Sequence, residues 1–161
     1  MKGLRGFVLA SLVLGVLAVA ASPGAAVKPQ TINLLEVSTS FVGTGGLDES
    51  FSSPPKVGQG FVIGSDFYKW KGTTRGARYG TLEVVCTFTK VGEKPGQESD
   101  FCSGAALLPG GQIALAGVIK QSKRFDVPIV GGTGVYAGAR GYIRVKEITD
   151  NNSADTFVIT G

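Results

Sequence analysis

The sequence predicts an all-β domain. Eight short β-prone segments recur along residues 31–160, separated by clusters of Gly, Pro, Ser, Asp and Asn, and no convincing helix follows the N-terminal segment. Many evenly spaced short strands point to a sandwich or a barrel, and the lack of a long-range Cys-Trp-Cys arrangement weighs against an immunoglobulin sandwich. A census of eight supports a closed barrel, whose interior is just wide enough to be filled by side chains or to hold one small ligand. The strand count leaves those two outcomes open.

Taken in order, the chain begins with Lys2 and Arg5, an uncharged run over residues 6–21, and small residues through Ala26. That is the plan of a secretory signal, with candidate cleavage after Ala20, Ser22 or Ala26. The uncharged core, about 16 residues, is shorter than the ~20 that a spanning helix needs. Residues 1–26 are therefore read as a secretory signal peptide and residues 27–161 as a single β-barrel domain. The mature chain of about 135 residues, enough to bury one core, is expected to be secreted and extracellular, without membrane contact after cleavage.

Strands are read at residues 31–38, 60–68, 79–90, 101–108, 112–120, 125–130, 141–149 and 156–160. The third carries Leu82, Val84, Cys86 and Phe88 on one face. The sixth is apolar, and the seventh alternates and is rich in β-branched residues. Residues 39–56, rich in Gly and Ser with Pro54-Pro55 near the end, read as a long loop at one barrel mouth, where such segments control access. Cys86 and Cys102 are the only cysteines, and in an exported chain they suggest one disulfide. A turn at Lys94-Pro95-Gly96 lies midway between them and returns Cys102 opposite Cys86. Closing that loop contributes roughly 3 kcal/mol in the chain-entropy model.

Five of the eleven residues in 131–141 are glycine. Gly132-Thr133-Gly134 with Gly138 is similar to a loosened dinucleotide fingerprint, which needs a strand before it and a helix after it. The strand is present, but a strand pattern follows where the helix should begin. The stretch reads instead as a tight corner between two strands.

Charge narrows the functions further. The chain holds 16 basic and 12 acidic residues, formally +4, or +2 without Lys2 and Arg5. The basic residues are spread out, and the group Lys120, Lys123 and Arg124 reads as a solvated face, so no nucleic-acid partner is expected. Histidine is absent, which removes Ser-His-Asp and Cys-His nucleophile systems and the commonest metal ligand. Too few ligands remain for a zinc site, and no cofactor or metal is expected.

Asp126-Val127-Pro128-Ile129-Val130 followed by Gly-Gly-Thr-Gly, an aromatic residue and Ala139-Arg140-Gly141 resembles the signature segment of dirigent proteins and allene oxide cyclases. Val57-Gly58-Gln59-Gly60-Phe61-Val62-Ile63 through Asp66, and Leu108-Pro109-Gly110-Gly111-Gln112-Ile113, extend the resemblance to about residues 57–149. It implies an eight-stranded antiparallel β-barrel of the calycin-like, allene oxide cyclase/dirigent type, holding a small hydrophobic molecule and forming a homodimer or homotrimer.

The resemblance also implies site residues. Asp66 and Arg140 fall on positions that contact the phenolic intermediate in dirigent proteins, although Val135 stands where a second aspartate of that family follows the glycine turn. Leu35-Glu36-Val37-Ser38 is similar to the first-strand segment of the cyclases. Glu36 keeps the carboxylate that steers charge as an epoxide opens, Ser38 replaces an asparagine, and Arg140 replaces a tyrosine. The expected catalytic set is Glu36, Asp66 and Arg140, with Ser38, Tyr68 and Tyr136 against the ligand. Simpler roles stand beside these. Asp66 can cap a turn, Arg140 can pair at the rim, and Tyr68, Trp70, Tyr136 and Tyr142 can be packing residues. Glu36 faces water if Leu35 and Val37 face inward.

Three functions fit: a barrel that guides cyclisation or coupling of its guest, an isomerase/cyclase of the allene oxide cyclase type; a non-catalytic carrier of a hydrophobic ligand; or a structural surface protein with a filled barrel. A lumen carrying Glu36, Asp66 and Arg140 favours the first, an all-apolar lumen the second, and a plugged lumen the third.

Overall fold

The computed structural model describes residues 27–72, 74–92, 97–120 and 122–161. The signal segment 1–26 and the turn at Lys94-Pro95-Gly96 lie outside the described residues. Eight strands are found among the described residues: β1 (Gln30–Thr44), β2 (Gly60–Lys71), β3 (Thr74–Lys90), β4 (Ser99–Leu108), β5 (Gly111–Lys120), β6 (Arg124–Gly132), β7 (Arg140–Thr149) and β8 (Asn152–Thr160). Each pairs antiparallel with its neighbour in sequence, and β1 also pairs with β8, so the sheet is a closed barrel. Closure leaves no sheet edge to template association.

Most strands run longer than the sequence reading, with β2 reaching Lys71 and β3 starting at Thr74, and two further boundary shifts bear on the site. β1 runs on to Thr44, through residues expected to be loop, because a register shift between Ser38 and Ser40 lets the strand bend and keep pairing with β2. The bulge also moves the inward phase from Glu36 and Ser38 to Phe41. β8 starts at Asn152, four residues earlier than read, since polar Ser153 and Asp155 hold the inward phase that Phe157 and Ile159 continue. Local composition there resembles a turn; the ladder to β1 decides otherwise.

The inward positions divide into two halves. In the lower half, Phe67 and Phe157 meet edge to face at 5.5 Å, and both are fully buried with Leu34, Ile113, Ala106 and Ala139. In the upper half, the lining side chains leave space. A filled floor beneath an open shaft is the arrangement that an eight-stranded barrel permits when large apolar residues crowd one end.

The glycine-rich corner closes the floor from outside. Residues 134–136 form one 3-10 turn, which seats the Tyr136 ring almost fully buried, its hydroxyl donating to the Pro109 carbonyl at 3.3 Å. Gly134 has φ +61°, and a Cβ there would stand 2.0 Å from the Gly110 carbonyl oxygen. The corner thus packs backbone to backbone on the β4–β5 turn, with Val135 N–H donating to Gly110 O at 2.9 Å.

Cys86 and Cys102 face each other across β3 and β4 and are disulfide-bonded. Both are buried, on the same inward face as Leu82, Val84 and Phe88. Replacing both by alanine is expected to lower stability by about 2–4 kcal/mol, read as a lower midpoint in urea unfolding. An unchanged midpoint would contradict a structural role for the bridge.

Candidate functional site

The upper half of the lumen is a cavity of about 820 Å³, within the range of small-molecule sites. Its shaft is walled by alternate residues of the strands, among them Ile63, Leu82, Val84, Leu115, Val127 and Val145. Alternation explains the wall: every second side chain of a barrel strand points inward. The mouth is built by the loop after β1, which contributes Glu49, Phe51 and Pro55, and by the β7–β8 turn with Asp150 and Asn151. That loop is tied down locally. The Asp48 carboxylate accepts from Ser50 N–H at 3.0 Å, from Ser52 N–H at 3.1 Å and from both serine hydroxyls, which hold it ionised well below its ordinary range. Gln59 donates to the Gly46 carbonyl at 2.9 Å, pinning the other end.

A polar layer rests on the Phe67–Phe157 floor. Glu36 on β1 stands between Phe67 of β2 and Ser153 of β8 in the register. Its two oxygens accept from Ser65 Oγ at 2.7 Å and from Ser153 Oγ at 3.2 Å. Ser153 Oγ also lies 2.5 Å from Asp155 Oδ1. Asp155 is 2% exposed. Burial, then the charge of Glu36 and the hydrogen bond with it, push the Asp155 carboxyl well above the ordinary value of 3.8; only the Ser153 contact opposes this. Asp155 therefore holds its proton more tightly than an exposed carboxyl does. The Ser153 O–H lies within donating distance of both Asp155 Oδ1 and Glu36 Oε2, so it links the two carboxyls. Glu36, Ser153 and Asp155 thus form one hydrogen-bonded row at the cavity floor.

The structure separates the residues expected from sequence. Glu36 and Ser38 line the cavity. Asp66, Tyr68, Tyr136 and Arg140 do not. Asp66 and Tyr68 are out of phase with inward-facing Ser65 and Phe67, so they lie on the outer surface. There Arg78 donates to Asp66 at 2.6 Å and Tyr68 O–H donates to it at 3.2 Å, and the Arg78 hydrogen bond lowers its carboxyl from the ordinary range. Arg75 stacks over the Tyr68 ring at 3.5 Å. Arg140 donates to the Val130 and Ala139 carbonyls at 3.0 and 2.8 Å, fastening the glycine corner, and Tyr136 belongs to the floor. Trp70 and Tyr142 are likewise absent from the lining.

Sequence reasoning missed Asp155, Ser153, Ser65 and Asp100. The signal was the period-two alternation. Asp155 is in phase with Phe157 and Ile159, and fully buried Asp100 is in phase with Cys102. Both sit just outside the segments read as strands.

With this geometry in hand, residues 40–159 match the model of the allene oxide cyclase barrel-like domain. The chain belongs to that family. No curated protein matches its sequence. Solved structures match the allene oxide cyclase-like barrel in shape. A pyocyanin demethylase is 21% identical with a TM-score of 0.63, the match covering 80% of this chain and 99% of that one. AbnU, an exo-specific intermolecular Diels-Alderase, is 16% identical with a TM-score of 0.61, covering 83% and 99%. The pterocarpan synthase dirigent protein GePTS1 is 14% identical with a TM-score of 0.60, covering 82% and 88%. At these identities the likeness is one of fold. Among the described residues, no helix is long and apolar enough to cross a membrane.

The raised carboxyl has a sign. The folded chain keeps a proton on Asp155 that the unfolded chain releases near 3.8. Its contribution to stability is complete below that pH and is lost as pH rises through the raised value. Carboxyl-carbon NMR of the free protein is expected to give Asp155 a midpoint well above 3.8, with Asp155→Asn flattening the matching fall in stability. A midpoint at or below the ordinary value would refute a proton held on buried Asp155.

Proposed function

We propose that the protein is a secreted barrel that binds one small hydrophobic molecule in the open half of its lumen and guides its cyclisation or coupling. The observation that carries this reading is the Glu36–Ser153–Asp155 chain at the blind end of an otherwise largely apolar shaft. Burying Asp155 beside the half-buried Glu36 carboxylate is costly unless something uses the pair. The apolar wall orients the guest and excludes water, which strengthens the field of the Glu36 carboxylate on any positive charge that develops as bonds reorganise. A cyclisation neither adds nor removes atoms. A proton lent through Ser153 and returned to the same layer therefore balances the reaction, with Asp155 as its store. Ser38, one inward position above Glu36, contacts the guest in this reading.

Asp66 and Arg140 act structurally in this proposal, through the Arg78 pair and the glycine corner respectively. The N-terminal pattern and the Cys86–Cys102 bridge support export to an oxidising compartment. Relatives of the same shape whose names describe a demethylase, a Diels-Alderase and a pterocarpan synthase support a small organic guest.

Native mass spectrometry of the secreted protein, mixed with extracts of its producing cells, is expected to find one retained small molecule per chain. Glu36→Gln should still retain it while slowing its conversion by on the order of 100-fold or more. Absence of any retained molecule would remove the lumen as a binding site. Wild-type turnover by Glu36→Gln would remove the catalytic half of the proposal.

A further inference from the structure

The charges are divided unevenly between the lumen and the outer surface. The chain has more basic residues than acidic ones, 16 against 12, and still 14 against 12 without Lys2 and Arg5. Yet seven acidic side chains line the cavity, and among the described residues no lysine or arginine does. Glu36, Asp155 and Asp100 lie in the shaft; Glu49, Glu98, Glu147 and Asp150 ring the mouth. Asp155 keeps its proton and adds no charge, so the field comes from the other acids. Chance placement would favour the opposite sign. The described ion pairs Arg78–Asp66 and Arg144–Asp126 lie on the outer surface, and Lys90 and Lys120 line a separate surface pocket beside Glu98 rather than the lumen.

A second feature of the same walls points the same way. Phe41 stacks on Phe61 at 5.4 Å, Phe61 meets Phe88 edge-on at 5.7 Å, and Phe51 at the mouth reaches Phe41 at 5.8 Å. All four line the cavity. Ring faces attract cations through their quadrupole, most strongly where water is excluded. Carboxylates in a concave, low-dielectric site focus the field and draw cations inward.

We propose that the guest of this barrel carries a positive charge: an apolar, ring-sized body bearing a cationic nitrogen, either a protonated amine or a quaternised heteroaromatic ring. The inference rests on the lumen being the binding site and deepens that reading. It also excludes a class. A guest with a carboxylate, such as a free fatty acid or its epoxide, finds no cationic side chain in the lining and faces the acids instead. Leaving such a charge unpaired in the shaft is prohibitive. The ring of acids at the mouth speeds capture of a cation, and the phenylalanine wall holds it once inside.

Three tricyclic probes of one shape test this at neutral pH by calorimetry: 9-aminoacridine as the cation, acridine as the neutral ring and acridine-9-carboxylate as the anion. The cation is expected to bind roughly tenfold or more tighter than the neutral ring, with the anion weakest. Val84→Phe, which fills the shaft, should abolish binding of the cation. Glu147→Gln with Asp150→Asn should narrow the gap between cation and neutral ring by about threefold or more at low salt. Equal or tighter binding of the neutral ring or the anion would overturn the charge assignment and leave the lumen as a binding site. Undiminished binding of the cation to Val84→Phe would place the attraction on the outer surface and overturn it too. Failure of all three probes to bind would overturn both the charge assignment and the lumenal site.

Discussion

Closure of β1 onto β8 sets Leu34 opposite Asp155 and Glu36 opposite Ser153, and both halves of the barrel depend on that ladder. It joins residues 117 positions apart. Without it, β1 and β8 would each present an open edge, Glu36 would face solvent, and Asp155 would have no reason to keep its proton. With it, the largest fully buried side chains, Phe67 and Phe157, meet edge to face as a floor, and buried Asp155 and half-buried Glu36 face the lumen. The unfavourable burial of these acids is offset by a fold whose apolar core is assembled elsewhere.

That division of labour explains how one small barrel is both stable and hollow. Lower-half packing, the disulfide and the backbone contacts of the glycine corner hold the cylinder's shape, so the shaft above need not be filled. The seam between β5 and β6 is its least regular part: three residue pairs are in register, and Pro128 of β6 has no N–H to donate. Gly117 of β5 faces that ring, where a Cβ would stand 2.8 Å from Pro128 Cδ. The small residue opposite the rigid one lets the strands stay close despite the broken ladder.

Much of the fold was legible because alternation and turn chemistry act locally. Leu82, Val84, Cys86 and Phe88 all line the shaft, as their spacing indicates, and the two cysteines meet across adjacent strands. The glycine corner joins two strands, with a single 3-10 turn inside it that local composition does not reveal. The site was half legible. Glu36 is inward because the β1 register says so, whereas its apolar neighbours Leu35 and Val37 left its phase open from sequence alone. Asp66 lies in a motif that resembles a dirigent one, but a strand has two faces, and phase relative to Ser65 and Phe67 puts it outside. Asp155 was hidden among Asn151, Asn152 and Ser153, where composition suggests a turn. The long-range pairing that overrides that composition leaves no trace in a single segment.

The central claim is that the upper lumen is hollow and reachable while the lower lumen is packed. Methyl NMR of the folded protein titrated with a small apolar ring compound tests this most directly. Shifts are expected at Ile63, Val84, Leu115 and Val145, which line the shaft, and none at floor residues Leu34 and Ile159 or at outward Val85 and Val118. Shifts confined to the outward methyls, or no shifts at any methyl, would contradict it.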